Sequence, residues 1–145
     1  MITEEKVVSP DSGIAEPQAA PAGQPRRVLL AEDDRALRRF LEICLKRAGF
    51  EVMPVTDGIE AIKVALSLPV DVVVTDAIMP NLNGFELCRF IRNTPQLSHL
   101  PIVLLSGLER KEGTQGAEQA DAFLFKPVSR EQLTDCLAAL FSTAK

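Results

Sequence analysis

The stretch that decides the fold is Val70 to Gly84, V-D-V-V-V-T-D-A-I-M-P-N-L-N-G. Residues 72–74 form an unbroken β-branched run, which is typical of a strand covered on both faces, as in a parallel sheet between helices. The run ends at Asp76, and the turn formers of residues 80–84 follow at once. In open α/β sheets this end of a strand faces the crevice where ligands bind. We therefore expect Asp76 in such a crevice, although a lone aspartate after a strand is more often a simple cap.

Other apolar runs also end on charged residues. The run V-L-L-A-E-D-D ends on Glu32 and Asp33, and the run L-F-K-P ends on Lys126. If these runs are parallel strands, their ends share one crevice with Asp76. Unpaired carboxylates at close range repel one another, so the cluster calls for a divalent cation with hard oxygen ligands, for which Mg²⁺ is the best candidate.

These residues form an ordered set along the chain. The set begins with the acidic pair Glu32-Asp33, continues with D-x-x-M-P-x-x-x-G from Asp76, and ends with Ser106-Gly107 and Lys126-Pro127. It resembles the receiver domain of two-component response regulators, and the resemblance covers Arg26 to about Ser142. The resemblance implies a flavodoxin-like (βα)5 doubly wound parallel sheet with strand order 2-1-3-4-5, whose first and third strands meet at the ligand-binding switch point.

The resemblance also implies the chemistry of the acids. Asp76 would be the phosphoacceptor, attacking the phosphohistidine of a sensor histidine kinase or a histidine phosphotransfer protein. Mg²⁺ would be held by Asp76, directly by Asp33, by Glu32 through water or at longer reach, and by the backbone carbonyl of Ile78.

The remaining roles follow from the same resemblance. Lys126 would pair with Asp76 and then with a phosphoryl oxygen, and the Lys126-Pro127 bond is expected to be cis. Ser106 would donate its hydroxyl to the phosphoryl group and relocate. Phe123 occupies the position of the switch aromatic, although a core phenylalanine without a gating role is the competing interpretation.

Two features depart from the family pattern. The span from Ser106 to Lys126 is short and glycine-rich, and we expect only a short or frayed helix over residues 108–119. The output face and dimerisation through it are therefore in doubt, and we expect a monomer or a weak phosphorylation-dependent dimer. Ile78 and Leu108 are apolar where other members often carry polar groups that guide water, which predicts slow self-dephosphorylation.

From Arg27 onward the chain alternates strand and helix five times. We predict strands at 28–31, 50–55, 102–105 and 122–125 besides the central one, with Pro54 favouring an edge position for the second. Asp57 is expected to cap the second helix, and Ser129 and Gln132 to form a capping box on the last. The apolar stripes predicted to face the core are Leu37, Phe40, Leu41, Cys44, Leu45 and Ala48; Ile59, Ile62, Ala65 and Leu66; Phe85, Cys88 and Ile91; and Leu133, Cys136, Leu137, Leu140 and Phe141.

Composition bounds the class of protein. The 145 residues are 46% hydrophobic, enough for one substantial core, and the net charge of -4 disfavours direct binding of nucleic acid. The sequence contains neither the roughly 18 apolar residues of a membrane span nor the order of a signal peptide, so we expect a cytoplasmic protein. Residues 1–25, rich in Pro and Ala, are expected to form a disordered tail before a receiver domain over 26–145. The three cysteines are expected to be free packing residues.

The leading functional hypothesis is a stand-alone receiver, because the chain ends just after its last predicted helix. It would be a phosphoacceptor that catalyses only its own phosphorylation and dephosphorylation and acts on a downstream protein target. An interaction module that keeps the fold without phosphorylation remains the alternative. A flavin-dependent electron carrier is disfavoured because Glu32-Asp33-Asp34 would repel the flavin phosphate. A dehalogenase-type phosphatase is disfavoured because it needs a D-x-D motif and a cap domain, which neither Asp33-Asp34 nor a chain of this length supplies.

Overall fold

Strands and helices alternate over residues 27–106 as the sequence predicts. The computed structural model describes residues 24–107 and 119–143. Within them lie β1 (Arg27–Ala31), α1 (Arg35–Arg47), β2 (Glu51–Val55), α2 (Gly58–Ser67), β3 (Val72–Asp76), α3 (Gly84–Arg92), β4 (Ile102–Ser106), β5 (Ala122–Phe125) and α4 (Arg130–Thr143). The expected tail lies outside the described residues up to position 23, as do Leu108 and nearly all of the expected helix over 108–119.

All five strands are parallel and form one sheet in the order β2-β1-β3-β4-β5. This is the predicted order 2-1-3-4-5, so the flavodoxin-like fold is confirmed. Pro54 lies on β2, which pairs only with β1, and the predicted edge position of this strand is therefore correct. β1 and β3 are direct neighbours, with Leu29 opposite Val73, so residues that follow these two strands must meet.

The strands are buried on both faces, which explains the continuous apolar runs in the sequence. On one face Leu29, Val73 and Leu104 pack with residues of α2 and α3. On the other face Leu30 and Val74 pack with residues of α1 and α4. This doubly wound arrangement leaves the carboxyl ends of the strands as the open edge of the sheet.

Side-chain caps define where the helices begin. Asp57 accepts a hydrogen bond from the amide of Glu60 at 2.8 Å, and Ser129 and Gln132 each accept from the other's amide. Both predicted caps are therefore confirmed. Two further caps were not predicted: Asp34 begins α1, and Asn83 begins α3.

The predicted helix stripes are partly wrong. In α2 the side chains of Ile59 and Leu66 are 42% and 49% exposed, whereas Ala65 is buried as predicted and Ala61, which was not predicted, is buried as well. In α1 the side chain of Phe40 is 45% exposed. A stripe of apolar residues wide enough to cover more than one helix face does not say which of its edges reaches the core.

The described cysteines are free thiols, Cys44 and Cys88 buried and Cys136 partly so. None of the described helices is long and apolar enough to cross a membrane.

Candidate functional site

The carboxyl edge of the sheet gathers an acidic cluster around one lysine. Asp76 ends β3 and is 3% exposed, Glu32 follows β1 and is fully buried, and Asp33 beside it is exposed. One ligand atom from each of these three residues lies within 4.8 Å of the others. Lys126, just after β5, places its Nζ 2.8 Å from Asp76 Oδ1 and 3.6 Å from Glu32 Oε1. The four charged residues expected in one crevice are therefore together.

The segment that carries Glu32 and Asp33 is held by hydrogen bonds. The amide of Glu32 donates to the carbonyl of Val55 at 3.1 Å, and the amide of Asp34 donates to Glu32 Oε2 at 3.1 Å. From α1, the guanidinium of Arg38 donates to the carbonyl of Glu32 at 2.9 Å and more weakly to that of Asp33 at 3.4 Å. The chain thus turns sharply after β1 while Glu32 stays buried.

The loop from β3 to α3 closes the other side of the crevice. Gly84 donates its amide to the carbonyl of Ala77 at 2.8 Å. A Cβ on Gly84 would collide with the carbonyl oxygen of Asp76, so only glycine allows this approach. Asn81 adopts a positive φ of 71°, and its side-chain amide donates to Asp57 Oδ2 at 2.8 Å, which ties the loop to the start of α2. The loop therefore has a fixed path beside Asp76.

Ile78 lies on this loop with its side chain 50% exposed, while the neighbouring Met79 is buried. The role predicted for Ile78 concerns its backbone carbonyl, so the outward side chain is compatible with it.

Ser106 and Phe123 lie on the strands next to the acidic cluster. Ser106 ends β4 and is fully buried, with its hydroxyl 3.4 Å from the carbonyl of Gly107. The amide of Lys126 donates to the carbonyl of Ser106 at 2.8 Å, which links the ends of β4 and β5. Phe123 is half-buried against the core on the α2–α3 side, opposite Leu104 in the sheet. Phe123 lies within β5, before the strand end that carries Lys126, and is not part of the acidic cluster. The Lys126-Pro127 bond is cis, as expected.

Burial and mutual repulsion change the ionisation of the cluster. Burial raises the pKa of Glu32 to about 7, and the charges of Asp76 and Asp33 add to that shift while the amide of Asp34 and the ammonium of Lys126 oppose it. Burial also raises the pKa of Asp76, although Lys126 opposes the rise. Burial alone would lower the pKa of Lys126, but its hydrogen bond to Asp76 and the charges of both acids outweigh burial and raise it. Keeping these buried carboxylates ionised therefore costs the folded protein some of its stability.

The cluster fits a hard divalent cation. Its three possible ligands are all carboxylates, the oxygen donors that Mg²⁺ prefers. Glu32 Oε1 and Asp76 Oδ1 are buried, and Lys126 is the only cation that the described residues bring to them. One ammonium against three carboxylates leaves negative charge that a cation would offset.

Comparison with known proteins identifies the family. The family model for the response regulator receiver domain matches residues 28–138, so the chain belongs to the receiver family of two-component response regulators. Among curated relatives, the transcriptional regulatory protein GltR of Pseudomonas aeruginosa is 34% identical over 122 residues, covering 83% of this chain and 50% of that protein. The response regulator MprA of Mycobacterium sp. (strain KMS) is 37% identical over 118 residues, covering 80% of this chain and 50% of that protein. The chain thus spans about half the length of these relatives.

Solved structures agree with the fold. The chemotaxis response regulator CheY4 of Vibrio cholerae matches with a TM-score of 0.73 and 29% identity over 81% of this chain and 99% of that one. The receiver domain of the sensor histidine kinase PA1611 from Pseudomonas aeruginosa PAO1, with a magnesium ion coordinated in its active site cleft, matches with a TM-score of 0.76 and 26% identity over 82% of this chain and 99% of that one.

Sequence reasoning missed the residues that support the cluster. Arg38 and the Asn81–Asp57 pair were not predicted to contribute to the site. The position of Arg38 in the first turn of a helix that follows the acidic pair places it near the crevice. The sequence does not say which carbonyls its guanidinium reaches.

Proposed function

We propose that this chain is a phosphorylation-driven switch. In this proposal Asp76 accepts a phosphoryl group from the phosphohistidine of a sensor histidine kinase or a histidine phosphotransfer protein, in a reaction that requires Mg²⁺. The single observation that carries the proposal is the convergence of Glu32, Asp33 and Asp76 at one edge of the sheet, with Lys126 paired to Glu32 and Asp76. Membership of the receiver family supports it.

The transfer exchanges one bond for another. A carboxylate oxygen of Asp76 forms a bond to phosphorus, the P–N bond to the donor imidazole breaks, and its electron pair returns to the ring nitrogen. Glu32, Asp33, Asp76 and the carbonyl of Ile78 would hold Mg²⁺, which would neutralise charge on the phosphoryl oxygens. Phosphoryl transfer depends mainly on such positioning and charge stabilisation.

Lys126 and Ser106 complete the proposed reaction. Lys126 favours the ionised, nucleophilic form of Asp76 through the 2.8 Å ion pair. After transfer its ammonium would move to a phosphoryl oxygen. Among the described residues the Ser106 hydroxyl makes a single long contact, to the carbonyl of Gly107 at 3.4 Å, and it would rotate from there to donate to the phosphoryl group.

A labelling experiment tests the acceptor. Phosphorylated histidine kinase, or a small phosphodonor such as acetyl phosphate, should label the protein in the presence of Mg²⁺. Asp76→Asn should abolish labelling, whereas Asp135→Asn, at an exposed aspartate of α4, should retain it. Labelling that persists in Asp76→Asn would refute the assignment.

The switch itself is proposed to couple Ser106 to Phe123. The sequence contains neither Trp nor Tyr, so Phe123→Trp would introduce a unique fluorophore. Beryllofluoride with Mg²⁺, which mimics the phosphoryl group, should shift its emission, and Asp76→Asn in the same background should remove the shift. Emission that does not respond to beryllofluoride would assign Phe123 to the core alone.

The second candidate function is an interaction module that is not phosphorylated. The exposed Ile59, Leu66 and Leu68 on and after α2 favour an interaction surface that does not use the acidic residues. Partner binding that beryllofluoride leaves unchanged would support this alternative. In either case we propose a protein target and action in the cytoplasm. For the phosphorylated switch we propose no catalysis beyond the protein's own phosphorylation and dephosphorylation.

A further inference from the structure

Arg38 is the one side chain of α1 whose hydrogen bonds reach back to the acidic segment. Its Nη1 donates to the carbonyl of Glu32 at 2.9 Å and to that of Asp33 at 3.4 Å, and its own amide donates to the carbonyl of Asp34 at 2.8 Å. One residue therefore contacts three consecutive carbonyls of the turn that follows β1. Carbonyls that point away from the strand at a sharp turn need such partners.

The rest of the turn is fixed except at one side chain. Glu32 is held through its amide and its carboxylate, and Asp34 through its helix cap. The carboxylate of Asp33 makes no hydrogen bond or ion pair with any residue in the described ranges, and it is exposed. The backbone of residues 32–33, to which Arg38 is bonded, therefore sets where the Asp33 side chain begins and so which of its rotamers bring the carboxylate to the cluster.

We propose that Arg38 is a positioning residue for the metal site. It fixes the backbone of residues 32–33 so that the carboxylate of Asp33 faces those of Glu32 and Asp76. This inference rests on the proposed metal site but not on phosphoryl transfer. Residues that hydrogen-bond to a metal ligand and orient it commonly contribute to metal affinity, and removing one typically weakens binding by about 10- to 100-fold.

The sign of the effect separates positioning from simple electrostatics. Arg38 carries a positive charge, and removing a positive charge near a cation site should tighten Mg²⁺ binding. Losing the support of the turn should weaken it. A weaker affinity in an Arg38 variant therefore cannot come from the charge change.

The chain offers a matched control next to Arg38. Arg39 is exposed and has no hydrogen bond or ion pair to any residue that the structure describes. Arg38→Gln and Arg39→Gln make the same change in charge on the same helix turn. Arg38→Lys keeps the charge and one donor but loses the planar guanidinium.

The experiment is a titration of the full chain with MgCl₂. Calorimetry measures the dissociation constant, and the amide chemical shifts of residues 32–34 and 76–78 report where the ion binds. We expect the dissociation constant to rise about tenfold in Arg38→Gln, to rise less in Arg38→Lys, and to stay equal or fall slightly in Arg39→Gln. With acetyl phosphate as donor, Arg38→Gln should need more Mg²⁺ for half-maximal labelling but reach nearly the wild-type rate at saturation.

The outcomes separate this inference from the proposed function. Affinity in Arg38→Gln equal to or tighter than in Arg39→Gln would overturn the role of Arg38 alone. A wild-type protein that binds no Mg²⁺ would overturn both the role and the metal site. Weaker binding in Arg38→Gln together with labelling that survives Asp76→Asn would keep the role and remove the acceptor. Circular dichroism and thermal unfolding of each variant verify that it is folded, and Arg38→Lys provides the comparison if Arg38→Gln is not.

Discussion

Glu32 is fully buried and has a pKa of about 7 in the folded protein, against an ordinary value of 4.5. Below pH 4.5 this carboxyl is neutral in both the folded and the unfolded chain. Between about 4.5 and 7 the unfolded chain ionises first, so Glu32 makes the metal-free protein lose stability as the pH rises through this window. The loss is complete above the folded pKa, and a shift of this size corresponds to roughly 3 kcal/mol.

The measurement is urea unfolding, monitored by circular dichroism, of metal-free protein between pH 4.5 and 8. Glu32→Gln has no such proton to lose, so its stability should fall less over the window than that of the wild type. Parallel curves for the two proteins would contradict the assignment of this cost to Glu32.

Ile78 governs a second prediction at the scale of one residue. Its half-exposed side chain lies two positions after Asp76 and cannot hold a water molecule for attack on the aspartyl phosphate. We expect phosphorylated protein to lose its label slowly, and Ile78→Asn to lose it several times faster. Ile78→Val keeps an apolar side chain and should behave as the wild type. Decay of the wild-type label within seconds would contradict the prediction.

The path of the loop from β3 to α3 depends on the absence of a side chain at Gly84. Gly84→Ala would place a methyl group against the backbone of Asp76 and Ala77, so the loop must shift at a cost of about 1–3 kcal/mol. Because the shift occurs beside the acidic cluster, we expect weaker Mg²⁺ binding as well as lower stability.

Gly49→Ala is the control for Gly84→Ala. Gly49 ends α1 at a φ of 98°, with open space around its Cβ position, at the far end of that helix from Asp34. Alanine there costs about 1–2 kcal/mol through backbone conformation alone. Calorimetric titration should show unchanged Mg²⁺ affinity in Gly49→Ala, and equal loss of affinity in both variants would mean that the effect is general destabilisation.

The elements also show how far the sequence can be interpreted. Strands buried on both faces leave a continuous apolar signal, and β5 was predicted with its observed bounds of Ala122–Phe125. In α2 the prediction was correct for Ala65 but failed for Ile59 and Leu66. Gly58 lets the start of the helix lie close to the backbone of Leu82, and the face that the helix buries carries the small side chains of Ala61 and Ala65. Apolar side chains identify the buried face of a helix only where the helix packs at a distance that leaves room for large side chains.

The same limit applies to the site. Glu32, Asp76 and Lys126 could be placed together from topology, since the carboxyl ends of adjacent parallel strands meet at one edge. The hydrogen bond from Asn81 to Asp57 joins residues 24 positions apart and depends on a positive φ. Such contacts depend on side-chain conformers that no sequence period encodes.

At the scale of the whole molecule, the two ends of the sheet differ in how fully their charged groups are paired. The carboxyl end gathers poorly compensated carboxylates, whereas the amino end of β4 and β5 is tied by Arg92. Its guanidinium pairs with Asp121 at 2.7 Å and donates to the carbonyls of Leu100 at 2.7 Å and Gln119 at 2.9 Å. Asp121 in turn accepts from the amide of Ile102 at 2.8 Å. These bonds tie β4 to β5 and can stabilise the fold, while the acidic end remains available for ligands.

This division predicts that stability and metal binding can be changed separately. Arg92→Gln leaves carbonyls and a carboxylate without their partner, so the free energy of unfolding should fall by about 1–3 kcal/mol, whereas Arg89→Gln, at an exposed arginine of the same helix, should change little. A ligand that binds only the folded state stabilises by an amount set by its dissociation constant and concentration. Mg²⁺ at a fixed concentration of ten times the wild-type dissociation constant should therefore add about 1.4 kcal/mol to wild type and Arg92→Gln alike. Urea unfolding with and without Mg²⁺ measures both quantities, and a smaller increment in Arg92→Gln would mean that the two ends of the sheet are coupled.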